Sequence, residues 1–223
     1  KAAELWASQN TVDLATGAWL SPEAGKTPLG VVADAWLASK TRVTPKTHAG
    51  YTTTVKLHLE PLRELPVSKL TPSVLRDWID DMDGSPKTVR NAASILHSIM
   101  GRAVRDRLVQ ANPCDGIELP KVSEGERRYL TAAQVESLAQ VSERPTLVNT
   151  LAYTGMRWGE LAALQVADVD PKARRVYVRR SVTEVSGTLH WGETKGRKVR
   201  RIPVSPFLAD QLRFAIKNKG PDE

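Results

Sequence analysis

Two stretches in the second half of the chain contain residues that could act on a phosphate group. In the first, "AYTGMRWGELAAL" (152–164), Arg157 and Glu160 stand three residues apart beside apolar positions of one predicted helical face. A guanidinium at the positive end of a helix is unfavourable unless an anion binds there, and phosphate offers two oxygens for bidentate contact. Glu160 would then orient the guanidinium. The alternative is an ordinary helical ion pair, which is the commoner explanation of this spacing in isolation.

The second stretch is "GETKGRKVRRIPV" (192–204), in which Lys195 stands at the tip of a predicted hairpin. A lysine, unlike an arginine, can release its proton, so Lys195 is a candidate general acid. Lysines at hairpin tips also serve solubility alone, and that alternative stays open. The same stretch supplies three candidate DNA contacts: Arg197, Lys198 and Arg200.

Positive charge is concentrated in one part of the chain. The region 172–201 contains ten basic residues against Glu184 and Glu193, a net charge of +8, whereas the whole chain carries +7. Such a local excess favours a surface that faces a polyanion, most simply nucleic acid. A solvated basic face that keeps the protein soluble is the alternative.

Two predicted helix starts in the first half, "VTPKTHAGY" and "SPKTVRN", carry basic and hydrogen-bonding side chains in their first two turns. Helix N-termini with such residues commonly contact phosphates and base edges in a major groove. Exposed polar residues near helix caps explain each segment equally well. The candidate DNA-binding residues here are Lys46, Thr47, Lys87, Arg90 and Asn91.

Composition excludes several other classes of protein. Hydrophobic residues make up 41% of the chain, enough for packed cores. Cys114 is the one cysteine, so no intrachain disulfide forms, and we expect a soluble protein of the cytoplasm. The four histidines show no metal-ligand spacing, no glycine-rich phosphate loop is present, and no apolar run is long enough for a membrane. The expected metal and cofactor content is therefore none.

Periodicity predicts a mainly α chain in four parts. Residues 1–23 begin as a helix that resembles the tail of an upstream module, and 24–110 predict a bundle of four helices. Residues 111–127, rich in proline and glycine, predict a linker. Residues 128–223 predict helices near 131–141, 145–153 and 157–165, a three-stranded antiparallel sheet, and a last helix near 206–217. The predicted strands are "RRVYVRRSV", "TLHWGET" and "KVRRIPV", with turns at Gly187 and Gly196.

The segment "TGMRWGELAALQVADVD", followed by "TKGRKVRRIPV", closely resembles the tyrosine site-specific recombinases, in particular integrases of actinobacterial phages. In that family the arginine of this segment binds the scissile phosphate, and the hairpin lysine protonates the leaving 5′ hydroxyl. The resemblance assigns these roles to Arg157 and Lys195, and a supporting role to Glu160. Residues 24–110 resemble the core-type DNA-binding domain, with helices near Lys46 and Lys87 entering the major groove, and 128–223 resemble the N-terminal part of a partial α+β catalytic domain.

The resemblance also implies a reaction and its partners. A tyrosine attacks the phosphate to form a 3′ phosphotyrosine bond, without a metal or nucleotide cofactor, and phage DNA is integrated into the host genome. The partners would be double-stranded DNA, a homotetramer in the recombination complex, and a directionality factor or a DNA-bending host protein. The place of action would be the host cytoplasm, on DNA and not at a membrane.

The family's later motifs have no match in this sequence. No histidine is followed three residues later by an arginine, and every tyrosine lies upstream of the place where the nucleophile belongs. We therefore expect a part of a longer integrase that binds DNA but does not cleave it alone. Two rival interpretations are a catalytically inactive DNA-binding regulator with a recombinase-like fold, and a helical protein-interaction module with an incidental basic hairpin.

Overall fold

The computed structural model describes residues 23–123, 125–126, 128–194, 196 and 198–222. The helix predicted at the start of the chain, apart from Glu23, lies outside the described residues. The chain divides into two compact units, Lys1–Glu124 and Gly125–Glu223. None of the helices in the described part of the chain has the length and apolar character that a membrane crossing requires.

The first unit is a helical bundle with the four helices that periodicity predicts. They are α1 (Leu29–Ala38), α2 (Pro45–Thr53), α3 (Pro72–Asp80) and α4 (Pro86–Arg105). A π-helical turn, Thr54–His58, continues α2, and short 3₁₀ segments lie at Ala24–Lys26, Glu60–Leu62 and Val67–Lys69.

Three of these helices begin with the same local device. The side chains of Thr44, Thr71 and Ser85 each accept a hydrogen bond from the backbone N–H three residues later, and a proline follows each of them. The hydroxyl satisfies a backbone donor that the helix leaves unpaired, and proline at the first helical position lacks the N–H that would be unpaired there. Local chemistry therefore determines where α2, α3 and α4 begin.

Apolar faces of the helices meet in one core, and residues after α4 extend it. Its largest fully buried members include Leu29, Leu75, Leu96 and Ile99. Cys114, Ile117 and Leu119 pack against this core, although they fall in the region that the sequence predicts as a linker. The first part of that region is thus attached to the bundle, and burial raises the pKa of the Cys114 thiol to about 12.

The serine cap of α4 provides a test of this local control. We expect Ser85→Ala to lower the free energy of unfolding of the first unit by about 1 kcal/mol, because the Thr88 N–H loses its acceptor. Ser98→Ala is the matched control, since the Ser98 hydroxyl only donates to the Ser94 carbonyl on the exposed face of the same helix. Urea unfolding of both variants checks the difference, and equal stabilities would contradict the capping role.

The second unit begins with helices and ends with one. These are α5 (Ala132–Val141), α6 (Pro145–Thr154), α7 (Trp158–Leu161) and α8 (Pro206–Ala215). Thr131 and Gln134 form a capping box at the start of α5. The helix predicted over 157–165 is only four residues long, because the chain turns after Leu161 and enters a 3₁₀ segment, Val166–Asp168.

Five short strands follow: β1 (Val169–Asp170), β2 (Arg175–Val178), β3 (Arg180–Val185), β4 (Thr188–Glu193) and β5 (Arg200–Pro203). One antiparallel sheet has the order β1-β2-β5, and β3 and β4 form a separate two-stranded hairpin. The prediction of a mainly α fold with a small antiparallel sheet is confirmed. The pairing differs from the prediction, because β5 pairs with β2 and not with β4.

The predicted strand "RRVYVRRSV" breaks at Arg179 between β2 and β3. The side chains of Arg179 and Arg180 both reach the buried carboxylate of Asp168, at N–O distances of 3.4 and 3.2 Å. Successive side chains of a regular strand point to opposite faces, so two neighbours can share one carboxylate only where the strand bends. The chain therefore bends at Arg179, next to Asp168. Before the bend β2 pairs with β5, and after it β3 pairs with β4.

The core of the second unit lies between its three-stranded sheet and α8. Strand β2 contributes Val176 and Val178, and α8 contributes Leu208 and Leu212. Met156, between α6 and α7, belongs to the same cluster. This packing brings the segment around Arg157 close to the beginning of β5.

Candidate functional site

The Thr-Gly pair before Arg157 ends one helix and does not begin the next. Gly155 closes α6 in the left-handed conformation (φ 63°), which glycine adopts without steric cost. Arg157 itself is extended (φ −73°, ψ 151°) and immediately precedes α7. The prediction that Arg157 lies in the first turn of a long helix is therefore wrong, and the short α7 has little macrodipole to oppose it.

The Glu160 carboxylate binds both the backbone N–H and the side chain of Arg157. The Arg157 N–H donates to Glu160 Oε2 at 2.9 Å, and Arg157 Nη1 donates to Glu160 Oε1 at 3.2 Å. The Glu160 side chain is 1% exposed, whereas that of Arg157 is 64% exposed. Glu160 thus anchors a guanidinium that faces solvent.

Arg200, from the beginning of β5, binds the same carboxylate. Its Nη1 donates to Glu160 Oε1 at 2.9 Å and its Nη2 to Glu160 Oε2 at 2.6 Å, which is the parallel bidentate arrangement. These hydrogen bonds hold the pKa of the Glu160 carboxyl at about 2, against the opposing effect of burial, and the Arg157 N–H adds to the lowering. The pairing also raises the pKa of Arg200.

An open cleft of about 660 Å³ lies beside this group. The residues that line it are Gly155, Arg157, Thr194, Gly196, Lys198 and Arg200. Thr194 is buried, and its hydroxyl donates to the Lys198 carbonyl at 3.1 Å, which braces the segment between β4 and β5. The candidate residues Lys195 and Arg197 lie in that segment but outside the described residues.

Glycine at position 159 allows α7 to approach β3 closely. A Cβ atom there would lie 2.6 Å from the Val182 carbonyl oxygen and 2.7 Å from Ser181 Oγ. Because such distances are too short for real contacts, any larger residue would displace α7 and the adjacent Glu160. Gly159 therefore contributes to the site through backbone packing.

The candidate DNA-binding residues of the first unit lie at the starts of α2 and α4. Helix α2, which carries Lys46 and Thr47, has no buried residue. Lys87, Arg90 and Asn91 are exposed on α4, but Arg90 Nη1 donates to the Pro120 carbonyl at 3.3 Å. In the described part of the chain, no three His, Cys, Asp or Glu side chains lie close enough together to hold a metal ion.

Sequence spacing indicates the contact between Arg157 and Glu160, but it does not indicate that Arg200 binds the same carboxylate. Arg200 follows Glu160 by forty positions, and it was expected to contact DNA directly. The structure brings Arg157, Lys198 and Arg200 to one cleft. Asp168, which binds Arg179 and Arg180, was also missed, because an aspartate in a polar loop carries no signal that it is buried.

Residues 128–222 match the phage integrase family. The integrase of Mycobacterium phage D29 is 32% identical over 184 residues, which are 77% of this chain and 49% of that protein. The second unit therefore belongs to the phage integrase family of tyrosine recombinases, and the similarity to the phage D29 integrase extends beyond it into the helical bundle. It spans about half the length of the curated relatives that it matches.

Solved structures share the fold. An integrase of transposon Tn1549, in complex with a circular intermediate DNA, has a TM-score of 0.76 at 22% identity and covers 86% of this chain and 66% of that chain. A lambda integrase tetramer bound to a Holliday junction has a TM-score of 0.60 at 16% identity, covering 99% and 77%.

Proposed function

We propose that this chain is the DNA-binding and phosphate-binding part of a site-specific tyrosine recombinase of the phage integrase type. The observation that carries the proposal is the group at the cleft, in which buried Glu160 anchors the exposed guanidinium of Arg157. A guanidinium held in this way meets a phosphate with little loss of conformational freedom.

The charge of the site supports a phosphate ligand. Two guanidinium groups share one carboxylate, so the group of Arg157, Arg200 and Glu160 keeps one positive charge, and the exposed Lys198 stands at the same cleft. A negatively charged DNA backbone supplies the missing counter-ion. The basic stretch 172–201 contains the cleft residues Thr194, Gly196, Lys198 and Arg200.

The proposed reaction is phosphoryl transfer at one DNA strand. A tyrosine hydroxyl releases its proton to water and its oxygen forms a bond to the scissile phosphorus, while the bond from phosphorus to the 5′ oxygen breaks. Arg157 stabilises the negative charge that develops on the non-bridging oxygens. Lys195 donates a proton to the leaving 5′ oxygen, so that a 3′ phosphotyrosine and a free 5′ hydroxyl result. Rejoining reverses these steps on a new 5′ end.

The first unit would hold the duplex while the second performs this chemistry. The contacts assigned to it are Lys46, Thr47, Lys87, Arg90 and Asn91, at the starts of two helices that present polar residues to solvent. In the complete reaction we propose a homotetramer on two DNA sites, acting in the host cytoplasm. A lambda integrase of the same fold forms a tetramer on a Holliday junction, which supports this assembly. A directionality factor or a DNA-bending host protein would be further partners.

Salt titration of duplex binding tests the proposal on the chain itself. We expect the logarithm of the binding constant to fall linearly with the logarithm of the salt concentration, with a slope of about −0.9 for each phosphate contact. Lys198→Gln should make that slope shallower by about one unit. The matched control is Lys217→Gln, an exposed lysine after α8 that does not line the cleft. Fluorescence anisotropy with a labelled duplex gives both values.

Absent or salt-insensitive duplex binding would contradict the proposal and favour a protein-interaction module. A DNA-binding regulator would show the same titration. A strand-cleavage assay on a recombinase polypeptide that carries this chain distinguishes the two. Only the enzyme cleaves a strand, at a rate that depends on Arg157, whereas the regulator does not cleave.

A further inference from the structure

Arg200 makes the most complete side-chain contact of the site, although it was expected to contact DNA. Its two Nη atoms donate to the two oxygens of Glu160, at 2.9 and 2.6 Å. Arg157 supplies a backbone N–H to Oε2 and Nη1 to Oε1. Each Glu160 oxygen therefore accepts two hydrogen bonds, which fills the acceptor capacity of a carboxylate.

The fold orients Arg200 toward Glu160. Arg200 pairs with Val178 in the β2–β5 ladder, and exposure alternates along β5. Ile202, two residues later, packs against the core of the second unit, so Arg200 lies on the same inward side of the strand. Arg201 lies on the opposite face and is exposed. Two neighbouring arginines thus have different surroundings.

The two arginines that share Glu160 are exposed to different extents. The Arg200 side chain is 37% exposed, and that of Arg157 is 64% exposed. Because both Nη atoms of Arg200 bind Glu160, the remaining positive charge of the group is exposed to the cleft mainly on Arg157. Without Arg200, Glu160 would have two vacant acceptor positions, and Arg157, the other arginine bound to this carboxylate, could fill them.

We propose that Arg200 is a positioning residue, which occupies the Glu160 carboxylate and thereby leaves the guanidinium of Arg157 available to the scissile phosphate. This role rests on the proposed phosphate-binding function of Arg157. In this proposal Arg200 does not contact DNA directly. When Arg200 is removed, Glu160 neutralises Arg157, and the cleft loses its attraction for phosphate even though Arg157 is still present.

A double-mutant cycle distinguishes the two roles. We expect Arg200→Met to weaken duplex binding about fivefold or more, and to have less than about a twofold effect when Glu160→Gln is already present, because residues of one ion-pair network are coupled. A direct DNA contact would instead give the same loss in both backgrounds. Arg201→Met removes the same charge one residue later and should weaken binding equally with and without Glu160→Gln.

Two further measurements keep the test independent of folding and of the proposed function. Arg200→Lys retains one cation for Glu160 and should recover part of the lost affinity, whereas a folding defect would appear as unfolded protein in Arg200→Met at the temperature of the binding measurement. Titration of the Glu160 carboxyl by carbon-detected NMR should show a raised pKa in Arg200→Met and no change in Arg201→Met.

The outcomes separate the two claims. If the parent chain does not bind duplex DNA, the proposed function fails, and the carboxyl titration still decides whether Arg200 controls Glu160. If the chain binds DNA but the effects of Arg200→Met and Glu160→Gln are additive, or if Arg200→Met and Arg201→Met behave alike, the positioning role is overturned and Arg200 is a direct DNA contact.

Discussion

Arg157→Ala is expected to lower the rate of strand cleavage about a hundredfold to a thousandfold in a recombinase polypeptide that carries this chain, as removal of one preorganised donor to a developing oxyanion does. The physical reason is that Arg157 is held by buried Glu160, while its side chain is largely exposed at the cleft. Duplex affinity should fall far less, by about fivefold, because one phosphate contact among many contributes a small share of binding. Single-turnover cleavage and anisotropy measure the two effects.

Arg213→Ala is the matched control for this prediction. Arg213 forms an exposed ion pair with Asp210, three residues away at 2.9 Å, and so resembles the pair of Arg157 and Glu160 in spacing but not in burial. It should cleave at the parent rate. Equal cleavage rates for Arg157→Ala and the parent would contradict the assignment of Arg157 to the scissile phosphate.

Glu160→Gln is expected to lower the free energy of unfolding of the second unit by about 3 kcal/mol at pH 7, since a pKa shift of one unit corresponds to about 1.4 kcal/mol. Arg200 holds the pKa of this carboxyl at about 2, below its ordinary value of 4.5. The figure is not larger because Arg157 and Arg200 are partly exposed, so water hydrates them when the carboxylate is removed.

The pH dependence follows from the direction of the shift. A carboxyl whose pKa is lower in the folded state stabilises the protein above the unfolded pKa, and this contribution is lost as the pH falls toward the folded value. The parent should therefore lose stability between pH 4.5 and about 2, and Glu160→Gln should show a flatter dependence over that range. Urea unfolding at several pH values, followed by the methyl signals of Val176 and Val178, measures it.

Asp210→Asn serves as the control for Glu160→Gln. The pair of Asp210 and Arg213 is exposed to solvent, and such pairs contribute between 0 and about 1 kcal/mol. Its stability curve should run parallel to that of the parent. If the curve of Glu160→Gln also runs parallel, the ion-pair network at the cleft does not stabilise the second unit.

Local features of the sequence predicted much of the first unit. The starts of α2, α3 and α4 depend on one hydroxyl, one backbone N–H and one proline within four residues, so the chain specifies them without help from distant segments. The same applies to the contact between Arg157 and Glu160, whose side chains stand three positions apart. Neither needs knowledge of the tertiary structure.

The strand pattern predicts antiparallel strands correctly but assigns β5 the wrong partner. Alternation predicts that "RRVYVRRSV" (174–182) is extended, yet it does not show that the two halves of this segment pair with different partners. At that division Arg179 and Arg180 both contact the buried carboxylate of Asp168, and the burial of Asp168 is decided by the packing of the whole unit. Likewise Gly155 in "TGMR" indicates a turn, but the sequence does not show which helix it belongs to. In the structure Gly155 ends α6 in the left-handed conformation and does not begin α7.

The family resemblance, the helical bundle, the basic stretch and the pair of Arg157 and Glu160 could all be predicted from residues close together in the chain. The contact of Arg200 with Glu160 could not, because it forms only when the chain is folded. Its contact requires β5 to pair with β2 and α7 to rest on β3 at Gly159, and such long-range pairings leave no mark in local spacing. An arginine that resembles a DNA contact in the sequence is therefore, in the folded protein, bound to the carboxylate that anchors Arg157.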